Sequence, residues 1–382
     1  MSAGVAILGS TGSIGRSALA VLDRHRDRFH VVALAANRRA DELRAQVERY
    51  GPDLCVLVDE TCANGHAAAG GWRTGSAALI EAATHPDVDI VLNAVVGAAG
   101  LEASLAALGA GKRLALANKE SLVAAGPLVL EAARAGGGEL IPVDSEHSAI
   151  LQCLKENETR DVDRLLLTAS GGPFRSMPAE ELERVTPAQA LRHPTWDMGA
   201  KITIDSATLV NKALEVIEAH FLFGVGYDRI DVVVHPQSII HSMVELVDGS
   251  VLAQLGFPTM EMPILYALTY PDRVPDSGPR RFDPVAAGSL TFEPVDTRRF
   301  PAFVLGIEAG RTGGTMPAVF NAANEVAVTG FLAGDLPFPA IATVIEETMR
   351  SHDVHAVDSL ETILAADREA RVRAREVLTR QC

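Results

Sequence analysis

Two acids separated by one residue, Asp144 and Glu146, lie in the stretch Ile141-Pro-Val-Asp-Ser-Glu-His147, directly after an apolar run over residues 140–143. On extended backbone, residues two apart project to the same side, so both carboxylates would face one point at the carboxyl end of a buried strand. Carboxylates in such a place are costly to desolvate unless a positive charge neutralises them. A hard divalent cation such as Mg²⁺ or Mn²⁺ favours carboxylate oxygen. A surface turn carrying two solvated acids accounts for the same residues. A second set lies in Lys201-Ile-Thr-Ile-Asp-Ser-Ala-Thr-Leu-Val-Asn-Lys-Ala-Leu-Glu-Val-Ile-Glu218. Residues 201–204 read as extended, and the spacing turns helical near Ala207, so that Asn211, Lys212 and Glu215 share one helix face. Ser206 falls near the expected start of that helix, where unpaired N–H groups favour an anion. Ser206, Asn211 and Lys212 thus form a candidate phosphate pocket, with Glu215 one turn beyond. An ordinary surface Lys–Glu helix pair is the competing reading.

A third chemical stretch opens the chain. The apolar strand Val5-Ala-Ile-Leu8 runs into Gly9-Ser-Thr-Gly-Ser-Ile-Gly15 and then a helical run over residues 16–23. Glycines at a strand-to-helix junction let backbone amides approach a pyrophosphate at a helix N-terminus. The spacing is GxxGxxG, and its value rests on the strand before and the helix after. The next strand, residues 31–36, ends in Asn37-Arg38-Arg39. An acid there would hold a ribose 2′-hydroxyl, whereas two arginines suit a 2′-phosphate and hence NADP. The same arginines could simply begin the solvated helix that follows.

These residues need elements to position them. Further apolar strands at 53–58, 89–96 and 113–117 alternate with alanine-rich helical stretches such as 101–110. The pattern reads as an α/β, Rossmann-like, doubly wound parallel sheet. Ligands of such sheets sit beyond the carboxyl ends of the strands. That rule puts Gly9–Gly15, Ala36 to Arg39, Asn118-Lys119-Glu120 and Asp144 to Glu146 on one rim. From Asp163 the pattern changes: strands at 164–169, 230–235 and 250–255 suggest a separate sheet in an α+β domain. There Ser170-Gly-Gly-Pro-Phe174 forms a turn that exposes amides and a hydroxyl. In His193-Pro-Thr-Trp-Asp-Met-Gly199, proline and glycine bracket an aromatic and a thioether without periodicity, as in a closing loop. A buried Trp196 anchor is the other reading. Five prolines between Pro271 and Pro294 mark a linker, and residues 302–309, 317–333, 339–351 and 360–378 read as a C-terminal helical bundle. The expected division is residues 1–144, a dinucleotide-binding domain; 145–270, a catalytic α+β domain with a lid at 193–199; 271–299, a linker; and 300–382, helices. Asn324-Glu325 reads as a polar helix-packing or capping pair, with a catalytic role as the competing reading.

Composition narrows the field. With 34 basic and 49 acidic residues the net charge is −15, which argues against a nucleic-acid or anionic-membrane binder but leaves room for a small anion in a local basic pocket. No apolar run reaches the ~18 residues needed to span a membrane, and no leader is evident, so a cytoplasmic location is expected. Cys55, Cys62, Cys153 and Cys382 form no CxxC pair, which fits a reducing compartment and speaks against a structural zinc site.

Taken in order, Gly9-Ser-Thr-Gly-Ser-Ile-Gly15, Ala117-Asn-Lys-Glu-Ser121, Pro142-Val-Asp-Ser-Glu-His147, His193-Pro-Thr-Trp-Asp-Met-Gly199, Ile204-Asp-Ser-Ala-Thr-Leu-Val-Asn-Lys-Ala-Leu-Glu215 and Asn321-Ala-Ala-Asn-Glu325 resemble the 1-deoxy-D-xylulose 5-phosphate reductoisomerase family along nearly the whole chain. The resemblance implies NADPH, Mg²⁺ or Mn²⁺, a homodimer and a sugar phosphate substrate on the non-mevalonate route to isoprenoids. It implies metal ligation by residues matching Asp144, Glu146 and Glu215. Substrate contacts would come from Lys119, Ser145, Glu146, Ser170, His193, Ser206, Asn211, Lys212 and Glu215, with Lys119, Glu146, His193 and Glu215 in the catalytic group. NADPH would meet Thr11, Gly12, Ser13, Ile14, Asn118, Glu120 and Gly199, with its ribose phosphate near Ala36, Asn37, Arg38 and Arg39. Many relatives carry Gly-Lys-Asn at the last three positions, so the basic character is kept. Another NADP dehydrogenase, such as a homoserine dehydrogenase-like enzyme, is the runner-up.

Overall fold

The computed structural model describes residues 2–62, 71–154 and 159–381. They group into two compact units, each discontinuous in sequence. The first comprises Met1–Ser121, Val129–Ser148 and Thr259–Arg280, and the second Leu122–Leu128, Ala149–Pro258 and Arg281–Cys382.

The first unit is built on a seven-stranded parallel sheet: β1 (Ala3–Leu8), β2 (Phe29–Ala36), β3 (Leu54–Leu57), β4 (Arg73–Thr74), β5 (Ile90–Asn93), β6 (Arg113–Leu116) and β7 (Glu139–Pro142). Their spatial order is β4-β3-β2-β1-β5-β6-β7. The apolar run of β1 is buried from Gly4 to Leu8, as a parallel strand covered on both faces requires. The order reverses between β1 and β5, so a crevice opens at their carboxyl ends. Helix Ser13–Arg24 turns Ala18, Leu19, Val21 and Leu22 into the core. At its far end Arg24 forms a bidentate pair with Asp276, at 2.7 and 2.8 Å, and a further bond to Glu261 at 2.7 Å. The strand expected over 89–96 is shorter, because pairing stops at Asn93. Asp144 and Glu146 do not share extended backbone. β7 ends at Pro142, and Ser145–Cys153 is helical with Glu146 in its first turn.

The second unit carries a mixed sheet of order β11-β10-β8-β9-β12. Its strands are β8 (Val162–Ala169), β9 (Ile230–Val234), β10 (Ile240–Leu246), β11 (Val251–Leu255) and β12 (Glu293–Pro294). β10 was not expected; it pairs antiparallel with both β8 and β11. The bundle helices are Pro301–Thr312, Met316–Ala333, Ala340–Arg350 and Leu360–Gln381. They enclose Phe320, Phe331, Ile341 and Val344 together with Leu209 and Leu214. Residues 201–204, expected to be extended, lie in helix Ala200–Ala207. The chain then turns through Leu209, at φ 60°, into helix Val210–Phe223. A leucine in the left-handed region costs about 1 kcal/mol, and the burial of its side chain in the core offsets that cost. Ser206 therefore stands near the end of one helix and not at the start of the next.

Candidate active site

The glycine-rich turn follows β1. Gly9 has φ +90°, and a Cβ there would meet the Ala94 carbonyl oxygen at 2.6 Å, beyond the end of β5. At Gly15 a Cβ would run into the backbone of Gly9 and Ser10, so the helix lies directly on the turn. Gly12 caps helix Ser13–Arg24 with no side-chain acceptor, and no acid stands in the first turn. An anion fits there, because these N–H groups have no side-chain cap and lie at the positive end of the helix. Arg39, in the cap position of helix Ala40–Tyr50, donates from Nη1 to the Thr11 carbonyl at 3.0 Å. Arg16 reaches the same carbonyl at 2.6 Å. Arg38 instead donates to Asp59 at 2.7 Å. Arg39 and Arg16 thus border the turn; Arg16 was not singled out from the sequence, although it directly follows the third glycine.

On the same rim, Asn118 caps helix Lys119–Gly136, its side chain accepting from the Ser121 N–H. Its Nδ2 donates to the carbonyls of Val95 and Gly97, at 2.6 and 2.7 Å, and to Glu120 at 3.3 Å. This ties the loop after β5 to the loop after β6. Lys119, buried, pairs with Asp144. Burial would push the Asp144 carboxyl up, but the adjoining Lys119 and His147 outweigh it and hold the group well below the usual carboxylate range. Ser145 donates to Glu146. An ionised Asp144 beside a second carboxylate, with no cysteine in the stretch, is donor chemistry that fits a hard divalent ion.

In the second unit, Glu215 is 1% exposed and Lys212 is 4% exposed. Lys212 Nζ pairs with Glu215, and Asn211 Nδ2 donates to the other carboxylate oxygen at 2.5 Å. This is a buried constellation and not the surface helix pair that spacing alone allowed. The turn after β8 uses φ +83° at Gly171 and +68° at Gly172, and a Cβ on Gly172 would meet the Ser206 carbonyl oxygen at 2.6 Å. That close approach brings the Ser170 turn onto Ser206. Ser170 Oγ lies 3.0 Å from His193 Nε2, and His193 Nδ1 accepts from the N–H groups of Thr195 and Trp196 at 3.1 and 2.9 Å. With Nδ1 an acceptor, the ring proton sits on Nε2 and points at Ser170. Burial pushes the His193 pKa down to about 4, so the ring is a neutral donor and not a cation for phosphate. Trp196 lies 6.3 Å, ring to ring, from His241. Gly199 begins helix Ala200–Ala207 as its cap.

Within each unit, then, the expected residues are gathered. Thr11, Gly12, Ser13, Ile14, Ala36, Asn37, Arg39, Asn118, Lys119, Glu120, Asp144, Ser145 and Glu146 lie at the carboxyl ends of the parallel strands. Ser170, His193 and Ser206 cluster after β8, and Asn211, Lys212 and Glu215 share the following helix. Asn324 donates to the buried Asp205 at 2.8 Å and Glu325 pairs with Arg371 at 2.7 Å, which is the packing role expected of that pair.

A doubly wound sheet with an uncapped glycine turn at its switch point, joined in one chain to a cluster of buried acids and phosphate-type donors, defines a dinucleotide-dependent oxidoreductase. Family models for 1-deoxy-D-xylulose 5-phosphate reductoisomerase match residues 5–126, and those for its C-terminal domains match 140–223 and 255–373. The chain belongs to the 1-deoxy-D-xylulose 5-phosphate reductoisomerase family. It is 54% identical to the reductoisomerase of Symbiobacterium thermophilum over 98% of this chain and 99% of that one. With the Heliobacterium modesticaldum enzyme it shares 53% identity over 97% and 96%. Among solved structures, the Zymomonas mobilis reductoisomerase in complex with NADPH matches at 43% identity and TM-score 0.91, covering 99% of each chain. A reductoisomerase in complex with NADPH, fosmidomycin and magnesium matches at 40% identity and TM-score 0.93, over 99% of this chain and 98% of that one.

Proposed function

We infer that this chain converts 1-deoxy-D-xylulose 5-phosphate into 2-C-methyl-D-erythritol 4-phosphate, by rearrangement of the carbon skeleton and reduction with NADPH, in a reaction that depends on a divalent metal ion. The observation that carries this is the end-to-end match to a reductoisomerase whose structure holds NADPH, fosmidomycin and magnesium. A homoserine dehydrogenase-like activity is not favoured, because the reductoisomerase relatives match along the whole chain.

In this reading Asp144, Glu146 and Glu215 hold the metal, supported by an all-carboxylate donor set that suits Mg²⁺. When bound, the metal supplies Lewis-acid stabilisation to charge developing on the substrate's carbonyl and hydroxyl oxygens. Lys119 keeps Asp144 ionised and stands ready to stabilise charge or move a proton. Ser170, His193, Ser206, Asn211 and Lys212 take the phosphate end, His193 as a neutral donor through Nε2. Binding a non-reacting phosphate positions the substrate and helps close the 193–199 loop, whose Trp196 excludes water. NADPH lies on the Gly9–Gly15 turn with its 2′-phosphate toward Arg39. Mn²⁺ as an alternative ion, a homodimer and a cytoplasmic location belong to the same proposal. Edge strand β11, with Val251 49% and Leu252 38% exposed, supports pairing of two copies. Among the described residues, no helix is long and apolar enough to cross a membrane.

The test is loss of NADPH absorbance on adding the ketose phosphate. Oxidation that stops with EDTA and returns with Mg²⁺ is expected; no oxidation with metal present would overturn the reading.

A further inference from the structure

Asp205 precedes Ser206 and is 1% exposed. Its carboxylate meets two groups. Lys201 Nζ lies 2.8 Å away, one turn earlier on helix Ala200–Ala207. Asn324 Nδ2, from helix Met316–Ala333, donates to Oδ1 at 2.8 Å. Asn324 is fully buried, and its own carbonyl oxygen has no hydrogen-bond partner among the described residues. A buried amide left half satisfied is costly, and its one hydrogen bond is the tie to Asp205. Just beyond, Thr208 Oγ donates to the carbonyls of Ile204 and Asp205 at 3.1 and 3.2 Å, and Leu209 turns through φ 60° into the helix that bears Asn211 and Lys212. The corner between the two helices is thus pinned by an amide from the bundle hydrogen-bonded to a buried carboxylate, and not left to a flexible glycine.

We propose that Asn324, acting through Asp205 and Lys201, is a positioning residue that sets Ser206, Asn211 and Lys212 in register for the substrate's phosphate. The proposal rests on the reading of those three residues as the phosphate pocket. None of the strut residues touches substrate; they fix the angle at which the helix corner presents donors. The strut is expected to act on phosphate contacts made equally in the ground and transition states, so that its loss shows as a raised KM.

The experiment compares wild type with Asn324→Ala, and with the swap Asp205→Asn/Asn324→Asp, which restores a carboxylate–amide bond in the opposite sense. In Asn324→Ala the KM for 1-deoxy-D-xylulose 5-phosphate is expected to rise on the order of tenfold, with kcat and the NADPH Kd within roughly threefold of wild type. The swap is expected to recover most of that loss, which generic destabilisation does not explain. An unchanged KM, or kcat and NADPH affinity falling together without recovery in the swap, would overturn the strut. Should Asn324→Ala not fold, Lys201→Gln carries the same readings with the same meanings. A wild-type chain that saturates with NADPH yet never turns over the ketose phosphate would sink the functional reading instead, whatever the variants do.

Discussion

His193 presents Nε2 to the Ser170 hydroxyl at 3.0 Å while its Nδ1 accepts two consecutive backbone N–H groups, those of Thr195 and Trp196. The loop that carries Trp196 therefore reports, through one imidazole, on the turn that follows β8. Burial lowers this histidine from 6.5 to about 4. A folded pKa below the unfolded one means protonation favours the unfolded chain, so stability is lost as pH falls from 6.5 toward about 4 and levels off below that. Imidazole nitrogen shifts of His193 are expected to keep the neutral, Nε2-protonated pattern from about pH 8 to about pH 5. In His193→Gln the slope of stability against pH over that window should be shallower than in wild type. A His193 titration midpoint near 6.5 would contradict the assignment.

Cofactor choice should divide unequally between the two arginines after β2. Arg39 reaches the Thr11 carbonyl on the glycine turn, whereas Arg38 is held by Asp59. Removing both is expected to weaken NADPH much more than NADH. Of the singles, Arg39→Ala should account for most of the effect, a loss of roughly tenfold to a hundredfold in NADPH affinity for one charge-assisted contact. Titration of protein fluorescence with each cofactor reads this directly. Equal weakening of NADPH and NADH would remove the 2′-phosphate from this corner.

Much of this was legible in the chain because parallel strands buried on both faces leave continuous apolar runs, as in Val5-Ala-Ile-Leu8, and because glycine turns leave fixed spacings. The helical phase linking Asn211, Lys212 and Glu215 was readable for the same reason. The corner between them and Ser206 was not. Lys201-Ile-Thr-Ile alternates like a strand over four residues, too short a window to separate period 2 from period 3.6, and it is helical. Leu209 gives no sign of a left-handed turn, which a glycine would have signalled. The strand at Ile240–Leu246 is buried at three consecutive residues, Ile240, His241 and Ser242, and again at Val244, so it shows no clean alternation. The tie between Asp205 and Asn324 joins residues 119 apart, and no local pattern encodes it.

Acid sensitivity of the first unit should trace to Asp276. Its hydrogen bonds with Arg24 hold its carboxyl below the usual aspartate range, against the opposing effect of burial. A depressed carboxylate contributes stability that is complete above its unfolded pKa and is lost as pH falls through the folded one. Asp276→Asn is expected to cost about 2–3 kcal/mol at neutral pH, as expected for a charge-assisted bidentate pair, and to flatten the loss of stability below about pH 4. Urea melts followed by circular dichroism at several pH values provide the check. An acid limb as steep as that of wild type would assign the sensitivity elsewhere.

Glu215 is the sharpest test of the metal assignment, because in this structure it is already paired with Lys212 and hydrogen-bonded by Asn211 on its own helix. Glu215→Gln keeps the shape and one oxygen, so the helix and its core contacts at Leu214 and Ile217 should stand. What it removes is an anionic oxygen for a hard cation and the negative charge that faces Lys212. Turnover is then expected to fall by roughly a hundredfold or more, since Lewis-acid stabilisation is worth several kcal/mol. NADPH affinity, which the proposed function assigns mainly to residues of the first unit, should stay within about twofold of wild type. Raising Mg²⁺ should recover part of the rate if the variant only weakens the ion, and the Mg²⁺ concentration giving half-maximal rate should move upward. A variant with wild-type turnover and an unchanged Mg²⁺ requirement would take Glu215 out of the metal's coordination and leave it as a partner for Lys212 and Asn211.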